Sequence, residues 1–155
     1  MHMLHGLRIA VVGGVCLMGV AAGAHQYRRS PDGVVLPARE TPGDVRTTDV
    51  AVTCVPGAAK RARDVPQAEK NAVYARYGAA RGPVCCEVDH LIPLALGGSN
   101  APTNLWPQPY APAPAAFEKD RLELWLYHRV CQGKLPLAEA QVCIREDWHA
   151  CWVKW

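Results

Sequence analysis

The sequence predicts an α+β domain with flanking helices and disulfide stabilisation. Residues 88 to 131 indicate a strand, a glycine turn, a second strand and a helix in succession, and a further helical segment lies on each side. Cysteines are frequent behind an apolar N-terminal run. With 155 residues, half of them apolar, the chain is long enough for one domain of ordinary size.

Residues 1 to 24 are typical of a secretory signal peptide. A short, weakly basic stretch precedes an apolar and small-residue run from Ile9 to Ala24, and Ala22-Gly23-Ala24 resembles a cleavage site before His25. We therefore expect a periplasmic or secreted protein with no stable membrane partner after cleavage. The alternative is an uncleaved N-terminal membrane anchor, although the run is shorter than the roughly 20 apolar residues of a membrane span.

Six cysteines remain in the mature chain: Cys54, Cys85, Cys86, Cys131, Cys143 and Cys151. An even number behind an export signal favours disulfides, and the sequence alone does not select their pairing. Because disulfide geometry is awkward for adjacent residues, we expect Cys85 and Cys86 to reach different partners. A structural zinc site is the alternative, but no C-x-x-C pair is present to begin one.

Net charge alone does not indicate a nucleic-acid-binding protein, because the formal value is only +3. Lys60, Arg61 and Arg63 nevertheless form a local basic cluster upstream of the strand-turn-strand segment. Such a cluster is often only a solvated face. Its position makes these three residues candidates for phosphate contacts.

The remaining elements follow from turn residues and periodicity. Prolines and glycines with little periodicity predict a flexible lead-in over residues 25 to 50, before a domain over residues 51 to 155. A helix is predicted over residues 65 to 77, with Asp64 as its cap. Two more are predicted over residues 115 to 131 and 137 to 149. We interpret the tail tryptophans, Trp148, Trp152 and Trp155, as packing anchors rather than a stacking platform.

The most informative motif is Glu87-Val88-Asp89-His90-Leu91-Ile92-Pro93, followed by Gly97-Gly98-Ser99-Asn100 and by Asn104-Leu105-Trp106-Pro107. With Lys119 to Glu123, this pattern resembles the HNH endonucleases of the His-Me finger, or ββα-metal, class, and small exported bacterial HNH proteins in particular. The similarity runs from about Cys54 to Trp148. It implies a ββα-metal core and metal-dependent hydrolysis of nucleic-acid phosphodiester bonds, with DNA as the expected substrate and RNA as the alternative.

The resemblance also implies residue roles that agree with side-chain chemistry. His90 would be the general base, because imidazole titrates near neutral pH. Asp89 would bind a divalent metal, Mg²⁺ in the first place with Mn²⁺ or Zn²⁺ as alternatives, through a carboxylate oxygen. Asn104 would brace the loop that orients His90.

The third motif position departs from the family pattern. This position, at the start of the helix, is normally His or Asn, and the alignment puts Ala115 there, which cannot coordinate a cation. Glu118 lies one turn later on the same face, and its carboxylate is the candidate replacement ligand. A solvent-facing charge is the alternative for Glu118, and His128 is a more distant candidate.

Two further functions remain open from the sequence. The chain could be an HNH-derived nucleic-acid-binding protein that has lost turnover, which would bind without cleaving. It could also be a disulfide-stapled exported interaction domain, which would neither bind nucleic acid nor depend on metal. The sequence names no inhibitor or other protein partner.

Overall fold

The computed structural model describes residues 23 to 81 and 84 to 155. Within these residues the fold is mixed α+β, with two two-stranded antiparallel sheets and five α-helices. No helix in the two described ranges is long and apolar enough to cross a membrane. The predicted signal peptide lies outside the described residues, apart from Gly23 and Ala24.

The elements follow one another along the chain with short connections. The strands are β1 (Arg28–Arg29), β2 (Val35–Leu36), β3 (Cys86–His90) and β4 (Leu105–Pro109). The α-helices are α1 (Val50–Thr53), α2 (Ala58–Ala62), α3 (Gln67–Tyr77), α4 (Ala116–Cys131) and α5 (Leu137–Lys154). Single 3₁₀ turns at Leu94–Leu96 and Pro102–Asn104 lie between β3 and β4.

The segment from residue 25 to residue 50 is packed, so the prediction of a flexible lead-in was wrong. β1 and β2 form an antiparallel hairpin, and Val34, Leu36 and Ala38 are buried in the main core. The backbone N–H of Ala38 donates to the Tyr77 hydroxyl at 3.1 Å. Strands of two residues are too short to produce an alternating pattern, so the sequence carried no periodic signal for them.

Helices α4 and α5 supply nearly half of the buried residues of the main core. Leu122, Leu126 and Val130 lie on one face of α4, as helical spacing requires, and they are buried in the same cluster as Trp148 of α5. α5 is longer than predicted because its backbone leaves helical geometry at Asp147 and then resumes. The Asp147 carboxylate accepts from the N–H groups of His149 and Ala150 at 3.0 and 2.9 Å and so caps the resumed helix.

The tail tryptophans do not all behave alike. Trp148 is buried, and its Nε1 donates to the carbonyl of Val35 at 3.2 Å, as expected for a packing anchor. Trp152 is half-buried. Trp155 is 49% exposed and lies against Trp125 of α4, with ring centroids 5.1 Å apart.

Three cysteine pairs lie at disulfide distance: Cys54 with Cys131, Cys85 with Cys86, and Cys143 with Cys151. The expectation that Cys85 and Cys86 reach different partners was wrong. The tertiary structure brings the other four cysteines together in pairs, with Cα separations of 5.6 and 5.4 Å, which lie in the usual disulfide range. The two adjacent cysteines are left with each other as partners.

The pair Cys54–Cys131 is expected to stabilise the fold most, because it closes the longest loop, with a sequence separation of 77. Replacing both cysteines by alanine should lower the free energy of unfolding by about 4.5 kcal/mol, since the unfolded chain regains the entropy of the open loop. Urea unfolding of the oxidised parent and the double variant measures this. The matched control is Cys143→Ala with Cys151→Ala, which opens a loop of separation 8 and should cost less. Equal losses for the two double variants would contradict this ranking.

Candidate active site

The candidate site lies at the end of β3, where Lys119 of α4 contacts Asp89 and the carbonyl of His90. β3 and β4 pair with Asp89 opposite Trp106 and His90 opposite Leu105. Pro107 and Pro109 belong to β4, although neither has a backbone N–H to donate to a sheet. A two-stranded sheet tolerates them because each of its strands is an edge strand. The two strands and the helix therefore meet at the Asp89–His90 pair.

Asn104 joins the loop after β3 to the loop before β4. Its Oδ1 accepts from the N–H of Ile92 at 2.9 Å, and its Nδ2 donates to the carbonyls of Ile92 at 2.9 Å and Ser99 at 2.8 Å. The side chain is fully buried. A β-carbon at Gly98 would collide with the carbonyl of Ile92, so glycine is required where the loop passes this contact. This geometry agrees with the bracing role expected for Asn104.

Asn100 orients the ring of His90. Its Nδ2 donates to the carbonyl of Ala62 at 2.7 Å, which turns its Oδ1 towards His90 Nε2 at 3.0 Å. An amide oxygen only accepts hydrogen bonds, so Nε2 carries the ring proton in this arrangement. The lone pair is then on Nδ1, because the hydrogen bond of the ring to a described residue is made by Nε2. Nδ1 is therefore the ring atom that can accept a proton.

His90 is buried, with only 2% of its surface exposed. Burial lowers its pKa below the ordinary value of 6.5, and the positive charges of Arg63 and Lys119 act in the same direction. The hydrogen bond to Asn100 and the charge of Asp89 oppose this shift without cancelling it. The imidazole is therefore neutral at neutral pH, which is the form that a general base needs.

Lys119 of α4 is the most unusual residue of the site, because its side chain is fully buried. Its Nζ donates to Asp89 Oδ2 at 2.6 Å, to the carbonyl of His90 at 2.9 Å, and to Glu123 Oε1. Burial lowers the pKa of Lys119, but the two carboxylates outweigh this and raise it above its ordinary value. The ammonium is therefore charged, and all three of its donors are used.

Carboxylates crowd this side of the site. Burial raises the pKa of Glu123 above its ordinary value, although the charge of Lys119 opposes the shift. Burial and repulsion by Asp89 also raise the pKa of Asp120 and of Glu87. The ammonium of Lys119 is the cation around which the Asp89 and Glu123 carboxylates are arranged.

The helix residue that reaches the Asp89–His90 pair is Lys119, and not Ala115 or Glu118. Ala115 is buried beside the start of α4, where its N–H donates to Glu118 Oε2 at 2.8 Å. This contact turns the Glu118 carboxylate back to cap its own helix, and the assignment of Glu118 as a replacement metal ligand stays a prediction without support from this geometry. His128 is exposed near the end of α4.

The basic cluster lies beside His90. Lys60 and Arg61 belong to α2 and Arg63 follows it, and all three are exposed. The segment that carries the basic cluster is connected to His90 by hydrogen bonds, because the carbonyl of Ala62 accepts the bond from Asn100 that orients the His90 ring. Arg63 also lies near enough for its charge to lower the pKa of His90.

The resemblance implies a divalent metal, but the residues present do not fit one as they are arranged. Mg²⁺ needs oxygen ligands that are free to face it. Asp89 Oδ2 is bound to Lys119, and Glu118 caps its helix. Within residues 23 to 81 and 84 to 155, no group of three His, Cys, Asp or Glu side chains is placed to hold a metal.

Two residues of the site were missed by the sequence reasoning. In the sequence, Lys119 begins the motif segment that ends at Glu123, and the two side chains, spaced i,i+4 on α4, form an ion pair. The burial of Lys119 had no sequence signal, because lysine is almost never fully buried unless it is paired. Asn100 was noted only as a turn residue, and its contact with His90 depends on the position of α2. No family model, curated protein or solved structure matches this chain.

Proposed function

We propose that this chain is an HNH-type endonuclease that hydrolyses phosphodiester bonds in nucleic acid, with DNA as its substrate. β3, β4 and α4 would be its ββα core. The observation that carries the proposal is the environment of His90, a neutral imidazole whose ring is oriented by Asn100 and whose loop is braced by Asn104. Such an arrangement suits a general base better than a structural histidine, whose two nitrogens would both be satisfied.

The chemistry follows from the tautomer. His90 Nδ1 would accept a proton from a water molecule as the water oxygen attacks the phosphorus. The bond from phosphorus to one ester oxygen then breaks, and that oxygen leaves with the electron pair. The exposed cluster of Lys60, Arg61 and Arg63 would bind the phosphates on either side of the bond.

A nicking assay tests the proposal. Oxidised protein spanning residues 25 to 155 is incubated with supercoiled plasmid, with and without a chelator, and the relaxed product is quantified. The proposal is supported if the parent nicks the plasmid and the His90→Asn variant does not. Absence of both DNA and RNA cleavage, at protein concentrations at which the nucleic acid is bound, would overturn it.

A second candidate function is nucleic-acid binding without turnover. It is favoured by the burial of His90, because a ring with 2% of its surface exposed leaves little room for a water molecule and a phosphate. This function predicts a mobility shift of DNA by the parent and by His90→Asn alike, with no relaxed product from either.

Arg63 is expected to contribute to phosphate binding. Its side chain is exposed and makes no hydrogen bond to another described residue. Arg63→Ala should weaken DNA binding at all sequences and reduce the slope of log K against log salt by about 1, because one phosphate contact is lost. Fluorescence anisotropy over a salt series measures this. The control is Arg39→Ala, since Arg39 is also exposed but lies beside Arg145 and Glu146 of α5. Identical salt slopes for the parent and Arg63→Ala would remove Arg63 from the interface.

Export with cleavage after Ala24 is a separate prediction, based on the apolar run and on six cysteines that lie at disulfide distance in pairs. Mass spectrometry of the exported protein should give His25 as the first residue and no thiol that reacts with an alkylating reagent before reduction. Six alkylated cysteines in the native exported protein would contradict the disulfide part. A retained N-terminal segment would favour the membrane-anchor alternative.

A further inference from the structure

We propose that Lys119 is the resident cation of this site and that its ammonium group excludes a divalent metal from the position between Asp89, Glu123 and the carbonyl of His90. What the inference says about catalysis rests on the proposed function. If the protein is an endonuclease, cleavage proceeds without a divalent metal at this position. The proposal replaces the metal dependence that the sequence motif implies.

The first argument is coordination. Lys119 Nζ has three oxygen partners, Asp89 Oδ2 at 2.6 Å, the His90 carbonyl at 2.9 Å, and Glu123 Oε1. Two carboxylate oxygens and one backbone carbonyl are also the ligand types that hard divalent cations select. The ammonium therefore occupies a position that otherwise has the chemistry of a cation site.

The second argument is enclosure. The Lys119 side chain has no exposed surface, whereas the side chains of Asp89 and Glu123 retain 17% and 18% of theirs. A metal ion could not bind the same two oxygens without displacing Nζ, and an ammonium without exposed surface has no solvent position close at hand. Electrostatic repulsion between the two cations opposes binding further.

The third argument is the helix register. Lys119 and Glu123 are one turn apart on α4, so a single helix supplies both the ammonium and one of its two carboxylates. β3 supplies the other carboxylate and the carbonyl. The cation is thus shared between the helix and the strand that carries His90, and it holds the two together.

Manganese alone is the probe, because Mn²⁺ takes oxygen ligands and its binding is read by calorimetry and by electron paramagnetic resonance without any substrate. Five oxidised proteins are compared: the parent, Asp89→Asn, Lys119→Ala, Lys119→Met and the double variant Lys119→Ala with Asp89→Asn. Methionine is the matched control, because it fills the space of the lysine stem without its charge, whereas alanine leaves that space open. Circular dichroism establishes that each protein is folded.

The parent and Lys119→Met should bind no Mn²⁺ at this site. Lys119→Ala should bind one Mn²⁺ ion. The double variant Lys119→Ala with Asp89→Asn should bind none, because one carboxylate ligand is lost. Parental nicking should be unaffected by chelator. Binding of one Mn²⁺ ion by the parent, with loss of that binding in Asp89→Asn, would overturn the inference. The comparison of these two proteins tests the inference even if Lys119→Ala fails to fold. A folded Lys119→Ala that binds no Mn²⁺ would also overturn it.

The nicking arm separates this inference from the proposed function. If chelator stops the nicking and Mn²⁺ restores it, the inference fails while the endonuclease proposal stands. If the parent bound to nucleic acid never cleaves it, the endonuclease proposal fails, and the Mn²⁺ titrations still decide whether Lys119 excludes a metal.

Discussion

Replacing His90 by asparagine is expected to lower the nicking rate by about 10²–10⁴-fold, the usual contribution of a general base. The asparagine amide ends at the position of Nδ1, so it is too short to keep the hydrogen bond from Nε2 to Asn100, and it cannot accept the proton that His90 Nδ1 is expected to take. Initial rates of plasmid relaxation measure the effect at matched folded protein. His90 is buried, so an alanine variant would lose packing as well as the base, and asparagine is the better test.

The matched control is His128→Asn on the exposed surface of α4, which should leave the rate unchanged. The pH profile is a second readout. Because the pKa of His90 lies below 6.5, the parental rate should be level through neutral pH and should fall only as the pH drops below that value and the ring takes up a proton. A His90→Asn protein as active as the parent would remove His90 from the mechanism.

Lys119→Met is expected to lower the free energy of unfolding by about 3–5 kcal/mol, because removing one partner of a buried ion pair leaves the other without compensation. The methionine fills the space of the lysine stem, so the loss comes from the charge and its hydrogen bonds. Urea unfolding of the oxidised proteins measures it. Lys134→Met is the control, since Lys134 is exposed and a surface substitution of this kind usually changes stability by less than about 0.5 kcal/mol.

The loss should depend on pH in a definite direction. Burial raises the pKa of Glu123 above 4.5, so the fold favours its protonated form relative to the unfolded chain. In Lys119→Met no ammonium opposes the rise in the pKa of Glu123. The free energy of unfolding that the variant loses at neutral pH should therefore be recovered as the pH falls towards 4.5 and Glu123 becomes protonated. Adding Glu123→Leu should recover part of it at neutral pH. A loss of less than about 1 kcal/mol for Lys119→Met would mean that the buried charge contributes little.

Several local features followed from the sequence because short-range rules determine them. The start of α3 differs from the prediction by two residues, and Gly78 ends this helix with a positive φ of 58°. The apolar stripe of α4 and its pair Lys119–Glu123 follow from helical spacing. The return strand at Leu105 follows from the turn at Gly97, which has a φ of 78°.

Other features depended on contacts between distant parts of the chain. The hairpin of β1 and β2 is stabilised by Tyr77 and Trp148, which lie far along the sequence. The pairing of Cys54 with Cys131 depends on where α4 ends relative to α1, and it leaves Cys85 and Cys86 to each other. No local rule contains these distances.

The candidate site divides in the same way. The sequence by itself determined that an aspartate, a histidine and an asparagine lie at the two ends of the loop that joins β3 to β4, because their spacing and the intervening glycines impose it. Only the tertiary structure decided what surrounds them. It oriented the His90 ring through Asn100 and buried the ammonium of Lys119 against Asp89. A buried charge is stable only beside partners from other elements, so its position depends on the packing of α4 against β3 and not on the local sequence.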